Sequence, residues 1–289
     1  MDYKINSHKE KKETIFFGET SYYIGKEIGS GCCGNVYNCD DSDGNNYAIK
    51  IMHPHYNLNE ELVLEWKNNL ENLTLIDNKY LVKYEKAFEF ENAFHLMMKK
   101  YPRTLGNMLD KKVINLQKIL KPIARSLLRG VDYLHNVGII HYNIHADNVL
   151  VDITNSDSND KKAVKLKFLL SDYADNLLLK QDSIYKQVTY NGVLPPEYIN
   201  PEKFGQLSDR TDIYLLGILL LEIYYGKRLL FSDEDVLSGK PKNYALHLPA
   251  PYSFALAKAL GRHVAFRTKD AKTLWHDLNL DSRNSLIDL

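Results

Sequence analysis

Three glycines within six residues, Gly29-Ser30-Gly31-Cys32-Cys33-Gly34, lie between two strand-like runs, and they constrain this chain more than any other feature. Glycine leaves the backbone bare, so a turn built this way lets another group come close to main-chain N–H donors. A plain tight hairpin also satisfies the pattern. Lys50 closes the next strand-like run, Tyr47-Ala48-Ile49-Lys50, and adds a cation on a rigid element. Bare amides beside a fixed ammonium suit a phosphate cradle, with Lys50 acting as a point charge.

Charge narrows the partners. Lys+Arg and Asp+Glu both number 37, for a formal net charge of zero, which gives no general attraction to nucleic acid or anionic lipid. At 289 residues the chain can bury a large core in one or two domains. Cys32, Cys33 and Cys39 lack metal-ligand spacing and point to a reducing compartment. If exposed at a turn tip, Cys32 and Cys33 are open to oxidation or alkylation. The start, Met1-Asp2-Tyr3-Lys4, is polar and does not read as a secretory leader. The longest apolar run, Tyr214 to Tyr225, contains Glu222 and is too short to span a bilayer, so it reads as a buried helix. No membrane insertion is expected. The expected location is cytoplasmic, which becomes a host cytosol if the chain is a secreted effector.

Along the chain, residues 1–14 are charged and read as a frayed tail. Ile15-Phe16-Phe17 and Ser21-Tyr22-Tyr23-Ile24 open the strand region, and the turn cluster from Asp41 to Asn46 predicts a hairpin. From Asn59 to Ile76, Leu62, Trp66, Leu70 and Leu73 share a helical face. Phe94 to Met98 reads as an apolar strand running into Lys99-Lys100-Tyr101. Leu116 to His135 is an amphipathic helix carrying Leu120, Ile123, Leu127, Val131 and Leu134. Val149-Leu150-Val151 and Leu166 to Leu170 read as strands, separated by a polar, exposed insertion from Asn155 to Lys162. Ser232 to Tyr252 is mixed and polar, and helical runs at Ala255–Leu260 and Ala271–Leu278 close the chain.

Further motifs follow in order. Ile28 to Val36 fits G-x-G-x-x-G-x-V, and Tyr47-Ala48-Ile49-Lys50 fits V-A-I-K. His141-Tyr142-Asn143-Ile144-His145-Ala146-Asp147-Asn148 has the spacing of H-R-D-x-x-x-x-N. Asp172-Tyr173-Ala174 stands for D-F-G, Pro195-Pro196-Glu197 for A-P-E, and Asp212-Ile213-Tyr214 with Gly217 for D-x-W/Y-x-x-G. From about Tyr22 to the C-terminus the chain resembles the eukaryotic-type, Ser/Thr-like protein kinase family. The resemblance implies an α+β, bilobal kinase fold. Residues 1–21 are then a tail and lead-in strand, and residues 22–289 form the kinase-like domain. Within that domain the small β-rich lobe with one regulatory helix runs to about 98, the hinge spans about 99–102, and the large helical lobe follows.

The resemblance also implies ATP and Mg²⁺ as cofactors. Gly29, Gly31, Gly34, Val36, Ala48, Lys50, Met98 and Leu150 are its nucleotide set, with Val36, Ala48 and Leu150 around the adenine. Asn148 and Asp172 supply hard oxygen ligands for the metal. Glu197 and Arg267 form a buried ion pair, and Asp212 holds the backbone of the His141 loop.

Several positions depart from the family pattern. Asn143 replaces the catalytic Asp that accepts the substrate hydroxyl proton, and an amide has essentially no basicity at cellular pH. His145 replaces the Lys that contacts the γ-phosphate, and histidine is only partly cationic at neutral pH. Counting back from Tyr80-Leu81-Val82 puts Asn69 where the helix Glu pairs with Lys50; Glu65, one turn earlier, substitutes only if the helix shifts. Tyr142 replaces the Arg that reads a phosphorylated loop, which disfavours switching at Ser183, Tyr185, Thr189 or Tyr190. Ala174 replaces a glycine, and Tyr173 replaces Phe, with stacking between Leu73 and His141 expected. Asp147 and Asp175 are the acids available to take over as base.

Losing a general base removes about 10²–10⁴-fold from turnovers of about 1–100 s⁻¹. Three readings stay open: an ATP- and Mg²⁺-binding pseudokinase acting through protein partners, a slow or unconventional kinase or other ATP-dependent transferase, and a nucleotide-free scaffold.

Overall fold

The computed structural model describes residues 13–17, 19–31, 33–53, 60–155, 164–174 and 193–280. It divides into two compact units: residues 1–76 with 83–100, and residues 77–82 with 101–289.

The first unit is built on a six-stranded antiparallel sheet. Its strands are β1 (Glu13–Phe17), β2 (Thr20–Gly31), β3 (Gly34–Asp41), β4 (Asn46–Met52), β5 (Tyr84–Phe90) and β6 (Ala93–Lys99), in the order β1-β2-β3-β4-β6-β5. The strand region thus begins inside the expected tail, at Glu13. The β3–β4 hairpin forms at the expected turn cluster, where the Asp41 carboxylate accepts the Asp43 and Asn45 N–H groups at 3.0 and 2.8 Å. One face of the sheet buries Ile15, Tyr22, Ile24, Cys39, Ile49, Phe88 and Met97 as a common core. Helix α1 (Glu60–Leu75) follows the predicted periodicity, buries Leu70 and Leu73, and ties to β5 through Lys67 and Glu89 at 2.9 Å. The side chains of Leu62 and Trp66 lie outside the described residues.

The second unit holds β7 (Arg103–Thr104), β8 (Val149–Asn155) and β9 (Val164–Leu170) in one small sheet. The Tyr80–Val82 segment straps onto β9: Leu170 N–H donates to the Tyr80 carbonyl and Val82 N–H to the Leu170 carbonyl, each at 2.9 Å. Its helices are α2 (Leu105–Asp110), α3 (Leu120–Asn136), α4 (Pro196–Ile199), α5 (Pro201–Phe204), α6 (Asp209–Tyr225), α7 (Asp233–Ser238), α8 (Lys240–Leu246), α9 (Tyr252–Ala259) and α10 (Ala271–Leu278).

Two sequence expectations are refined here. The amphipathic run from Leu116 begins as a 3₁₀ turn, Leu116–Ile119, and becomes α-helical only at Leu120. Pro122 explains the break, because it has no N–H to donate and its ring collides with the carbonyl four residues back. The mixed stretch Ser232–Tyr252 contains two helices. Ser232 and Asp235 form a reciprocal capping box at the start of α7, and Gly239, at φ 86°, ends it in the left-handed conformation.

Helix α6 is buried from Thr211 to Ile223 and stands at the centre of this unit. Ser208 and Thr211 cap its start, and Gly226 at φ 64° closes its end. Among the described residues no helix is long and apolar enough to cross a membrane. The insertion from Ser156 to Lys162, the loop carrying Ser183, Tyr185, Thr189 and Tyr190, and Asp175 lie outside the described residues.

Candidate functional site

Strand register sorts the residues of the first unit that the sequence singles out for a nucleotide. Val36 pairs with Gly29 on β2 and with Lys50 on β4, Ala48 pairs with Met98, and Lys50 pairs with Leu96. Paired residues share a face, and so do residues two apart on a strand. Gly29, Val36, Ala48, Lys50 and Met98 therefore line one face, opposite the core residues Ile49 and Met97. Lys50 is only 2% exposed, unusual for a residue type whose burial normally requires a charged or hydrogen-bonding companion.

The three glycines serve different ends. Gly31 on β2 pairs directly with Gly34 on β3. A Cβ on Gly34 would lie 2.3 Å from the Ile51 carbonyl oxygen, so this glycine is required by the packing of β3 on β4. A Cβ on Gly29 or Gly31 would meet nothing closer than 3.7 or 3.6 Å, so protein packing does not demand glycine there. Those two positions leave a backbone cradle that side chains would fill, which is the form a phosphate-binding turn takes. The exposed-thiol expectation is corrected for Cys33, which is buried, and its carbonyl accepts the His53 N–H at 2.9 Å. Cys32 and the side chains of Asn69 and Glu65 lie outside the described residues.

In the second unit a single buried carboxylate organises the His141 loop. Asp212, with no exposed surface, accepts the His141 N–H at 2.8 Å and the Tyr142 N–H at 2.7 Å, and His135 Nε2 lies 2.8 Å from it. These bonds hold Tyr142 at φ 59°, a left-handed conformation rarely taken by a bulky residue. The Tyr142 side chain is 9% exposed, and burial first, then the charge of Asp212, pushes its hydroxyl up to about 12. A buried neutral phenol has no charge with which to read a phosphate.

His141 is fixed in one tautomer. Its Nε2 donates to the Ser171 carbonyl at 2.7 Å, and its Nδ1 accepts the Asn143 N–H at 3.3 Å. Burial lowers its pKa, so the ring is neutral. Asn148 then links the loop to the Asp172 segment. Its Nδ2 donates to the Asn143 carbonyl at 2.9 Å, and its own carbonyl accepts both the N–H and the hydroxyl of Ser171, at 2.9 and 3.0 Å. With the amide nitrogen engaged, Oδ1 is the Asn148 atom suited to a hard cation. Asp172 follows at φ 64°, a second strained position beside the first. Among the described residues no group of three or more His, Cys, Asp or Glu side chains could hold a metal alone. A cation at Asn148 and Asp172 would need further oxygens, as Mg²⁺ on a polyphosphate has.

Asn143 is 5% exposed, with its backbone N–H and carbonyl both bonded within the loop. The loop around Asn143 is held by these bonds, and its amide cannot take the proton that the expected base would accept. Asp147 does not fill the gap. Arg228 donates to it at 2.7 Å and His145 Nδ1 lies 3.8 Å away. Burial pushes Asp147 up, but its bonds to His145 and Arg228 outweigh this and hold it well below the usual carboxylate range, which makes it a poor base. Arg228 also reaches Asp110 at 3.1 Å. Gly106 admits the pair: a Cβ there would sit 1.9 Å from the Asp147 carboxylate. Sequence reasoning missed Arg228, which follows a helix-ending glycine 81 residues after Asp147 and carries no local signal.

Leu150, half-buried on β8, pairs with Leu169 and Thr104. Tyr173 is fully buried and donates its hydroxyl to the Val82 carbonyl at 2.8 Å, a bond phenylalanine cannot make. Ala174 is buried and absent from the positive-φ residues, so its backbone conformation suits alanine. The expected Glu197–Arg267 pair forms in full: two bonds of 2.6 and 2.5 Å join the side chains, Thr211 donates to Glu197 at 2.9 Å, and Arg267 stacks over Tyr214 at 4.7 Å.

Comparison with known proteins agrees with this geometry. The profile described as protein kinase domain matches residues 22–271. The mitogen-activated protein kinase kinase kinase mkh1 of Cytospora mali is 26% identical over 247 residues, covering 82% of this chain and 13% of that protein. The probable inactive serine/threonine-protein kinase samkD of Dictyostelium discoideum is 24% identical over 255 residues, covering 84% of this chain and 44% of that one. The chain thus spans less than half the length of these relatives. In fold, the kinase domain of Mycobacterium tuberculosis PknI superposes with a TM-score of 0.61 at 17% identity, over 92% of this chain and 97% of that one.

Proposed function

Because the chain belongs to the protein kinase domain family, we propose that it binds ATP with Mg²⁺ and acts through protein partners, with phosphotransfer absent or strongly reduced. One observation carries this reading. Asn143 stands where the family pattern carries its base, in a loop held in place by the bonds of Asp212, His141, Asn148 and Ser171. Gly29, Gly31 and Lys50 would hold the phosphates, Val36, Ala48, Met98 and Leu150 would take the base, and Asn148 with Asp172 would hold the metal. When bound, the metal neutralises phosphate charge. The first unit itself contributes fixed amide donors and the Lys50 ammonium. The second contributes an amide that orients a hydroxyl but does not accept its proton.

A second reading, a slow kinase, draws on the same intact frame, since phosphoryl transfer depends mainly on positioning and charge. Nucleotide binding is tested by thermal unfolding with and without ATP and Mg²⁺. Saturation at about 100 times Kd adds about 2.7 kcal/mol, or roughly 5–10 °C. Lys50→Met and Asp172→Asn should each reduce that rise. No rise in the wild-type chain would refute nucleotide binding and leave the scaffold reading.

A further inference from the structure

A concave feature lies wholly within the helical unit, on elements that carry none of the residues assigned to nucleotide or metal. It is a groove of about 650 Å³ between α5, α8, α9 and the turn that follows α9. Its base is apolar: Phe204 and Ala257 are 5% exposed. Its walls carry apolar side chains left open to solvent, with Leu246 and Phe254 each 54% exposed and Phe266 78% exposed. Around these stand Lys203, Lys242 and Arg262, with Lys258 paired to Asp277 at 3.4 Å and His263 beside Phe266, and among the described residues no acidic side chain lines the groove. The cations sit against rings: Lys258 lies 5.7 Å from the Phe254 centroid and Arg262 6.0 Å from that of Phe204.

In a chain of zero net charge this local surplus of cations is a feature of the groove. Exposed rings in a concavity call for inserted apolar side chains, and the cationic rim calls for acids flanking them. A membrane surface would meet a flat or convex face, whereas buried Phe204 and Ala257 lie at the base of a depression. We propose that this groove docks a protein partner through an acidic segment bearing one or two leucine or phenylalanine side chains. Only the purpose of such docking rests on the reading that the chain works through partners. The binding needs no nucleotide, so either proposal can fail without the other.

The test is a selection from a random dodecapeptide library on the immobilised full chain, without ATP, followed by fluorescence polarisation of the enriched peptides. Enriched sequences should combine acids with Leu or Phe, and their affinity should fall as salt is raised. The double variant Lys203→Glu/Lys242→Glu should weaken binding about tenfold or more. Phe254→Ser, also at an exposed position, should weaken binding without changing the salt dependence. Unchanged unfolding midpoints in both variants exclude misfolding as the cause. Enrichment of neutral or basic peptides, or affinity unmoved in both variants, overturns the proposal. So does binding to phosphatidylserine vesicles with no acidic peptide enriched, or concentration-dependent self-association that Phe254→Ser abolishes.

Discussion

Asp212→Asn is the sharpest structural test of the loop frame. The change conserves size and one acceptor oxygen, but the other oxygen becomes an NH₂ group. The carboxylate accepts the Tyr142 N–H at 2.7 Å on one oxygen, and on the other the His141 N–H at 2.8 Å, with His135 Nε2 also 2.8 Å away. The amide therefore points a donor at a donor on one side, whichever way it turns. A buried donor left unsatisfied costs about 1–3 kcal/mol, and losing a hydrogen bond to a charged group adds about 1.5–3 kcal/mol. Tyr142 also loses part of what holds it in a left-handed conformation that costs about 1–2 kcal/mol. The expected loss is about 3–5 kcal/mol, a drop of roughly 6–20 °C in unfolding midpoint. Asp209→Asn, on the exposed first turn of the same helix, should cost about 0.3–1 kcal/mol. Urea unfolding of both variants gives the comparison. A loss under about 1 kcal/mol for Asp212→Asn would show that the loop does not depend on this carboxylate, and the reasoning would fail.

Three other expectations follow from the same geometry. Gly34→Ala should destabilise the protein by about 1–3 kcal/mol through its clash with β4, whereas Gly29→Ala should leave stability unchanged and weaken ATP binding; unfolding and calorimetric titration separate the two. Arg267→Ala should cost about 3–5 kcal/mol in urea unfolding, because it strands Glu197 as a buried, uncompensated charge. Arg228→Met should alter acid unfolding: Asp147 is held below its ordinary value in the folded state, so its contribution is complete at neutral pH and lost as pH falls below about 4. Removing Arg228 should lower stability at pH 7 and flatten the stability curve in that acid range.

Much of the fold was legible because the motifs are local and ordered. The glycine turn, the Lys50 strand, the His141 loop and the apolar periodicity of α1 and α3 each declare themselves within a dozen residues. The Glu197–Arg267 pair, 70 residues apart, was reachable only through the family pattern, and it is present. Other features lay beyond a linear reading. Helices α7 and α8 are short and polar, so periodicity gives no signal and only the Ser232-x-x-Asp235 cap and Gly239 mark them. The role of Gly34 depends on how β3 lies against Ile51. Asp147 read as a free acid because its partner Arg228 arrives from the far end of α6, and that contact removes it from the candidate bases. Cys33 was open to reaction only if exposed, and it is turned inward. In each case tertiary contact, which spacing does not encode, decided the outcome.

The central claim is that a phosphate cradle persists in a chain whose catalytic loop has lost its base. Radiolabelled γ-phosphate transfer from ATP to an acceptor protein, by the wild-type chain beside Asn143→Asp, tests it most directly. The wild type should stay below about 1 s⁻¹, and the aspartate should raise the rate at least about 100-fold. A wild-type rate in the ordinary range of about 1–100 s⁻¹, abolished by Asp172→Asn, would contradict the account. So would an aspartate variant no faster than its parent.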